Sequence, residues 1–182
     1  PISDHLVGAN LSGHDSHGVG MVPRYVQALL AGELSLNQSL KTVLDHGSLL
    51  SLDAEQGLGQ SLGHAAMKLA IGRAREHGVC VLGLRRAHHL GRIGHWAEQA
   101  VAAGFASIHF TNVLSRPLVA PQGAAEARFS TNPFTVGLPG PDGEAILLDV
   151  ATSAIAMGKV RVAFNRGVEV PAGTLIDADG RP

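Results

Sequence analysis

The spacing of apolar residues predicts four helical stretches. Between about Ser61 and His77 apolar side chains recur on one helical face, and Gly78 is placed to end that helix. Near the N-terminus the helical pattern is broken by a glycine-containing loop at 12–18. The four predicted stretches are 1–34 with its loop, 61–77, about 93–103, and one that starts from a cap at Thr152 or Ser153 and ends near Arg166.

Short apolar runs predict β-strands between these helices. The predicted strands are 42–44, 49–52, 79–84, 105–110, 134–138 and 145–150. The run at 79–84 is continuously apolar, which is typical of a strand buried on both faces. The last two strands read as a hairpin closed by the turn at 139–143. Strands and helices alternate before this hairpin, so the pattern predicts an α/β fold with a mixed sheet.

Length and composition limit the class of protein. The 182 residues are 45% hydrophobic and 16% charged, which suffices for a buried core and excludes wholesale disorder. A formal net charge of -1 argues against nucleic acid or an anionic membrane as the main partner, since both need a basic excess. No apolar run reaches the roughly 18 residues of a membrane span. The single cysteine, Cys80, excludes an internal disulfide framework and favours a reducing cytoplasm.

Ten histidines in a chain of this size indicate acid–base or metal chemistry. His14 and His17 are three residues apart, a spacing that a metal could use, but no HExxH or CxxC motif accompanies them. His17 lies between Ser16 and Gly18 in a loop, where an imidazole can be exposed and oriented for proton transfer. His89 leads toward a predicted helix start, whose free N–H groups would suit a phosphate. Ordinary surface and core histidines are the other interpretation.

A run of glycines suggests a nucleotide-binding enzyme. Gly57, Gly59 and Gly63 lie between a predicted strand and a helix, where a dinucleotide-binding turn would lie. Their spacing is G-x-G-x-x-x-G, and the next strand ends in Arg85-Arg86, which could contact a 2′-phosphate. A Rossmann-type NADP reductase is therefore one alternative. A strand-to-helix turn without a ligand is another, and a non-enzymatic histidine-rich metal-binding module is a third.

Two polar segments lie at the ends of predicted strands. The segment at 130–134 precedes one strand, and the segment at 149–153 follows another. Their hydroxyl, amide and carboxylate groups could hold a polar ligand, or they could serve as turns and helix caps.

Taken in order, these segments resemble one family, the malate/L-lactate/ureidoglycolate dehydrogenases. These are NAD(P)-dependent oxidoreductases that are unrelated to the Rossmann lactate dehydrogenases. The segment at 87–98 is most similar to the hydroxycarboxylate dehydrogenase B branch. The matching stretches are Asp15–Val19 with Pro23 and Tyr25, His89–Gly91 with Gly94, Thr111-Asn112, Pro121 with Gly123, Ser130–Pro133, and Asp149–Ser153 with Gly158-Lys159.

The resemblance implies a non-Rossmann NAD(P)-binding fold whose mixed sheet is flanked by helices, and a homodimer with the cofactor, NAD or NADP, near the subunit interface. It implies hydride transfer between a 2-hydroxy acid, malate-like, lactate-like or larger, and its 2-oxo acid. Family members are about twice as long as this chain, which opens at Pro1 without a methionine and ends on turn residues. We therefore expect a piece that is incomplete at both ends and need not be active alone. It would comprise an N-terminal helical segment at 1–40 and a truncated cofactor-binding domain at 41–182.

The resemblance also carries roles to individual residues. His17 matches the proton donor and acceptor, with Ser16 beside it in a relay that Lys159 would complete. Tyr25 and His89 match residues that face the substrate. The positions that match cofactor-contacting stretches are Gly91, Arg92, Ile93, Gly94, Thr131, Asn132, Asp149, Val150 and Ala151. No metal ligand is implied.

Two positions depart from the family pattern. Many members have an arginine four residues after the catalytic histidine, suited to clamping a carboxylate, where this chain has Met21. Arg24 follows three residues later and could take its place in substrate binding. Ala87 stands where many members have a serine, two positions before the second histidine.

A cation at Lys159 is expected to lower the pKa of His17 and so favour the neutral base.

Overall fold

The computed structural model of this chain describes residues 2–114, 117–141 and 143–182. Helices and strands alternate along these residues. The helices are α1 (Ile2–Leu11), α2 (Val22–Leu30), α3 (Gly59–His77), α4 (Gly94–Ala102) and α5 (Met157–Arg166), with two short 3₁₀ turns, Asp15–His17 and Val19–Met21, between α1 and α2. The strands are β1 (Lys41–His46), β2 (Leu49–Asp53), β3 (Val81–Arg85), β4 (Ser107–Phe110), β5 (Phe134–Pro139) and β6 (Ala145–Val150).

The first three strands form a mixed sheet in the order β1-β2-β3. β1 pairs antiparallel with β2, and β2 pairs parallel with β3 through the crossover helix α3. Leu50 and Leu52 of β2 pack with Ala66 of α3 to form the core of this unit. Gly78, at φ +80°, ends α3 as the sequence predicts, because the left-handed conformation costs glycine little.

The second sheet, β4-β5-β6, is antiparallel throughout. The predicted mixed sheet is therefore divided, with the mixed pairing confined to the first sheet. α4 covers one face so closely that a Cβ at Gly137 would lie 2.9 Å from the Cβ of Ala97. Thr135 on the same face is fully buried. The opposite face carries the exposed apolar side chains Ile108, Phe110, Leu138, Ile146, Leu148 and Val150.

The N-terminal helices have an apolar cluster of their own. Leu6, Met21, Tyr25, Ala28 and Leu34 are all buried there, which fixes α1 against α2 and leaves the loop between them on the surface of the cluster. The boundary that the sequence predicts at residue 40 stays a prediction.

One strand differs from expectation, and one predicted turn is described only in part. The strand predicted at 79–84 is observed at Val81–Arg85, on the edge of its sheet, and Val81 is 61% exposed. The prediction of a strand buried on both faces is therefore wrong for this chain. Asp142, in the predicted 139–143 turn, lies outside the described residues.

Over the part of the chain that the structure describes, no helix has both the length and the hydropathy of a membrane span.

The last helix starts later than its predicted caps. α5 begins at Met157, and neither Thr152 nor Ser153 caps it. Both hydroxyls are used in the preceding turn, where Thr152 Oγ1 donates to the carbonyl of Thr131 and Ser153 Oγ donates to that of Ile155. The predicted terminator is confirmed, since Gly167 follows α5 at φ +65°.

Candidate active site

The loop at Ser16-His17-Gly18 is held by a side chain of α1. Asn10 Nδ2 donates to Asp15 Oδ1 (2.7 Å), and Asn10 Oδ1 accepts from the backbone N–H of Val19 (2.9 Å). Gly18 permits this arrangement, because a Cβ there would overlap the Asn10 side chain. Sequence analysis missed Asn10, since no local pattern shows that a residue inside a helix bonds to the following turn.

His17 is bonded to Ser16, and its surroundings favour the neutral imidazole. Ser16 Oγ lies 2.9 Å from His17 Nδ1. Burial first, and then the positive charges of His14 and Arg161, lower the pKa of His17, while the carboxylate of Asp149 opposes them. The pKa is lowered as predicted, but the charges that lower it are those of His14 and Arg161 and not that of the predicted Lys159. The effect of Asp149 also shows that its carboxylate lies within electrostatic reach of His17.

Helix α5 approaches the same loop at Ser16. A Cβ at Gly158 would overlap the Cβ of Ser16, so the approach requires glycine. Lys159, the next residue, lines a cavity of about 330 Å³ together with Ser16. The other charged groups around this cavity are Asp15 and Arg166, whose side chains lie 3.5 Å apart. The structure therefore brings Lys159 to the outer side of the Ser16–His17 pair.

His89 lies beside His17 and is bonded to Tyr25. The two imidazole rings stack with centroids 5.3 Å apart and planes inclined by 24°. Tyr25 Oη lies 2.8 Å from His89 Nδ1, and Gln60 Nε2 donates to the same phenol oxygen at 2.6 Å. Gln60 is only 1% exposed, and sequence analysis missed it because the pattern of α3 gives no sign of a partner on α2.

The environment also fixes the ionisation of these groups. Burial most of all, and then the charges of His17 and His88, lower the pKa of His89 to about 3. Burial raises the pKa of Tyr25. Arg24 is exposed on α2, and its positive charge contributes to the pKa of both Tyr25 and His89. Tyr25 and His89, which are both predicted to face the substrate, therefore lie together, and Arg24 precedes Tyr25 on the same helix.

The loop from Gly91 to Gly94 is tied to α1. The backbone N–H of Arg92 donates to His5 Nε2 (3.0 Å), and Gly91, at φ +74°, has no Cβ to overlap that nitrogen. His5 is 2% exposed. Burial above all, with the charge of the neighbouring His95 next, lowers the pKa of His5 to about 4. Arg92 and Ile93 in this loop are also buried.

Asp149 joins the start of α4 to the end of β6. Its Oδ2 accepts from the N–H of Gly94 (2.8 Å), and its Oδ1 accepts from Thr135 Oγ1 (2.7 Å). The next two N–H groups of α4 donate to backbone carbonyls of the preceding turn. The prediction that this helix start offers free N–H groups to a phosphate is therefore wrong.

The remaining predicted cofactor-contacting residues also adjoin one another. Thr152, directly after Asp149–Ala151, donates from its N–H to the carbonyl of Thr131 (3.0 Å). Asn132 has a positive φ of 33°, and its Oδ1 accepts from the N–H of Val113 (2.9 Å). The polar segments before β5 and after β6 thus form one surface near the Gly94–Asp149 bond.

Comparison with known proteins identifies the family. The match to the malate/L-lactate dehydrogenase family extends over residues 1–182. The chain belongs to this family.

Similar proteins include dehydrogenases of several hydroxy acids. The chain is 51% identical over 181 residues to hydroxycarboxylate dehydrogenase B of Escherichia coli K12, covering 100% of this chain and 50% of that protein. It is 45% identical over 183 residues to an L-lactate dehydrogenase of Cupriavidus necator, covering 100% and 52%. A solved E. coli structure, assigned provisionally as a malate/lactate dehydrogenase, has a TM-score of 0.96 and 51% identity, covering 100% and 51%. The chain spans about half the length of these relatives.

This member of the malate/L-lactate dehydrogenase family does not use its glycine run as a nucleotide-binding turn. A Cβ at Gly59 would overlap the carbonyl oxygens of His88 and His89, and one at Gly57 would overlap the side chain of Leu62. At Gly63 a Cβ would lie 2.9 Å from the ring of Trp96. The space that a pyrophosphate would need is filled by the chain itself. The predicted α/β fold outside the Rossmann class is thereby confirmed.

The structure also bears on the arginine pair of the Rossmann alternative and on the metal-binding alternative. Asp53 is 2% exposed and pairs with Arg85 Nε (2.9 Å) and Arg86 Nε (2.8 Å), so neither arginine is free for a 2′-phosphate. Among residues 2–114, 117–141 and 143–182, no group of three or more His, Cys, Asp or Glu side chains is arranged to hold a metal ion. Nothing in the structure favours a metal-binding module.

Gly59→Ala is expected to lower the free energy of unfolding by about 1–3 kcal/mol, because the added methyl must displace the backbone at His88. Urea unfolding of the full-length protein measures this. Gly72→Ala, on the same helix with no heavy atom within 4 Å of its Cβ, is the matched control and should be neutral or stabilising by up to about 1 kcal/mol. Unchanged stability with lost nucleotide binding in the Gly59 variant would instead favour the Rossmann alternative.

Proposed function

We propose that the full-length protein is an NAD(P)-dependent oxidoreductase that interconverts a 2-hydroxy acid and its 2-oxo acid by hydride transfer. The observation that carries this proposal is the Ser16–His17 pair, stacked beside His89 and within reach of Asp149. Membership of the malate/L-lactate dehydrogenase family supports the reaction class. Its relatives act on hydroxycarboxylate or L-lactate by name.

His17 is the group that moves the proton in this mechanism. In the oxidation direction, hydride leaves C2 only as the hydroxyl proton is removed, because the product is a ketone. A neutral imidazole is a base suited to this step near neutral pH, and the lowered pKa of His17 keeps it unprotonated there. In the reduction direction the protonated imidazole returns the same proton to the carbonyl oxygen.

Ser16 and Lys159 orient His17. Ser16 Oγ, 2.9 Å from Nδ1, fixes the ring so that Nε2 is the nitrogen left for the substrate. Lys159 lines the same cavity as Ser16, so its ammonium group lies on the Ser16 side of the pair and can help to orient it. Both residues therefore act on proton transfer without touching the carbon that reacts.

The substrate carboxylate is assigned to Arg24. Met21, at the position where many family members have an arginine, is 4% exposed and packs in the apolar cluster of α1 and α2, so it offers no charge. Arg24 is exposed on the next turn of the helix, and its charge reaches His89 and Tyr25. A guanidinium group there can bind a carboxylate in a bidentate manner.

The residues around His17 fit a phosphate-bearing nicotinamide cofactor. In the cavity beside Ser16, Asp15 pairs with Arg166, which leaves the ammonium group of Lys159 as a donor that suits phosphate. The start of α4 does not suit it, because Asp149 already accepts the Gly94 N–H. We assign the remaining contacts to Gly91–Gly94, Thr131, Asn132 and Asp149–Ala151. NAD or NADP, when bound there, supplies the hydride acceptor.

We also propose a cytoplasmic homodimer. The apolar side chains exposed together on one face of the second sheet support association, since a contiguous apolar patch is typical of a contact surface. Cys80 is a free thiol, which supports a reducing compartment.

A panel of 2-oxo acids with NADH and NADPH tests the proposed function. With the complete gene product, at least one 2-oxo acid should cause loss of the reduced nicotinamide absorbance at a rate proportional to enzyme. Assays without the oxo acid are the control. Absence of turnover with every acid and both cofactors would contradict the proposal, and a stoichiometric transition metal in the purified protein would favour the metal-binding alternative.

A further inference from the structure

The hydrogen bonds behind His89 run in one direction from a buried amide. Gln60 Nε2 donates to Tyr25 Oη at 2.6 Å, and Tyr25 Oη lies 2.8 Å from His89 Nδ1. Gln60 is 1% and Tyr25 7% exposed, so water does not compete for these bonds. Three side chains from α2, α3 and the loop before α4 thus form a short chain that ends at the imidazole.

The chemistry of each group fixes where the hydrogens lie. An amide nitrogen can only donate, so the phenol oxygen accepts from Gln60 and keeps its own hydrogen for another acceptor. Over the described residues Tyr25 Oη has a single other partner, His89 Nδ1. A buried phenol O–H without an acceptor would cost free energy, which favours donation from Tyr25 to that nitrogen. A neutral imidazole that accepts at Nδ1 carries its hydrogen on Nε2.

We propose that Gln60 is a positioning residue that, through Tyr25, holds His89 as the Nε2–H tautomer and makes it a hydrogen-bond donor to an oxygen of the substrate. The inference rests on the proposed function, in which a 2-oxo acid lies against His89. No hydrogen bond from His89 Nε2 to another described residue is present, so this N–H is available. His17 and His89 then have separate tasks, since His17 transfers the proton and His89 only donates a hydrogen bond.

The ionisation of His89 agrees with this division. A pKa lowered to about 3 keeps the ring neutral at every pH where the enzyme would work, so His89 is a poor proton acceptor. A neutral donor next to the 2-oxo carbonyl or carboxylate would stabilise negative charge on oxygen without adding a second cation beside His17.

The backbone of α3 explains why Gln60 reaches Tyr25. Gly59 lets the first turn of α3 contact the carbonyls of His88 and His89, where any Cβ would overlap. Gly57 O accepts from the N–H of His88 at 3.0 Å and holds the same approach. The glycine run therefore places the amide of Gln60 behind the imidazole, which gives it a use other than nucleotide binding.

The tautomer of His89 is the direct test. In the full-length protein labelled with ¹⁵N-histidine, the His89 resonances, assigned with a His89→Gln sample, should show Nε2 protonated and Nδ1 unprotonated. A hydrogen on Nδ1 in the wild-type protein would overturn the proposal. This measurement needs no substrate, so it stands even if the oxo-acid panel contradicts the proposed function.

The variant Gln60→Met removes the donor while keeping the length of the side chain. The two tautomers of His89 should then both be seen, and KM for the 2-oxo acid should rise about tenfold, with kcat and the KM for cofactor changed less than about threefold. Gln99→Met is the matched control, because the Gln99 amide bonds to the His64 carbonyl and not to this chain. An unchanged tautomer and KM in the Gln60 variant would refute the proposal. Should that variant not fold, the wild-type spectrum decides.

Discussion

His17→Ala in the full-length protein is expected to lower kcat by about 10²–10⁴-fold while cofactor still binds. The imidazole is the only group of the described site that is both bonded to the Ser16 relay and held neutral by its surroundings. Under the proposed mechanism, its removal takes away the base that accepts the hydroxyl proton as the hydride departs. Steady-state kinetics with the best substrate of the panel measures kcat, and quenching of protein fluorescence or calorimetry measures cofactor binding.

The pH profile of the same reaction gives an independent check. In the proposed mechanism oxidation of the hydroxy acid requires unprotonated His17, so the rate should fall as pH drops through the pKa of His17. Because burial and nearby cations lower that pKa, the acid limb should lie below 6.5. His46→Ala, on the exposed strand β1, is the control and should leave kcat unchanged. Retention of most activity in His17→Ala would remove His17 from the proton-transfer role and move it to His89.

Those parts of the fold that depend on short stretches of sequence could be predicted. The helix expected at 61–77 is observed at Gly59–His77, because its apolar face and its glycine terminator lie within the same segment. The position of β3 at the edge of its sheet, and hence its exposure, could not be predicted in this way. The run at 79–84 is apolar enough for a central strand, yet which strands pair beside it depends on the rest of the molecule.

Some features of the site could not be predicted from the sequence because they depend on close contacts between distant segments. His17, Tyr25 and His89 could be located from their local motifs and from the family resemblance. Gln60 and His5 could not, because each is defined by a bond to a residue 35 or 87 positions away. The glycines at 57–63 were visible, but only the structure shows that carbonyls of the same chain occupy the space beside them.

Lowering the pH from 7.5 to 5 is expected to reduce the free energy of unfolding by about 4 kcal/mol through two histidines, the buried His5 and the partly buried His89. The pKa of His5 is about 4 and that of His89 about 3 in the folded protein, against 6.5 for the unfolded chain. Between pH 6.5 and 4 the unfolded chain therefore binds protons that the folded chain does not. Their contribution is complete above 6.5 and is lost as pH falls, at about 2 kcal/mol per histidine by pH 5.

Replacement of His5 isolates one half of this effect. In His5→Leu the loss of stability between pH 7.5 and 5, measured by urea unfolding of the full-length protein, should be smaller by about 2 kcal/mol than in the wild type. Leu6→Ala, next to it on α1 and 3% exposed, should lower stability equally at both pH values and leave that difference unchanged. If the His5 variant kept the whole pH dependence, His5 would have the same pKa in the folded and the unfolded protein. Its protonation would then not break the hydrogen bond from the Arg92 N–H to His5 Nε2.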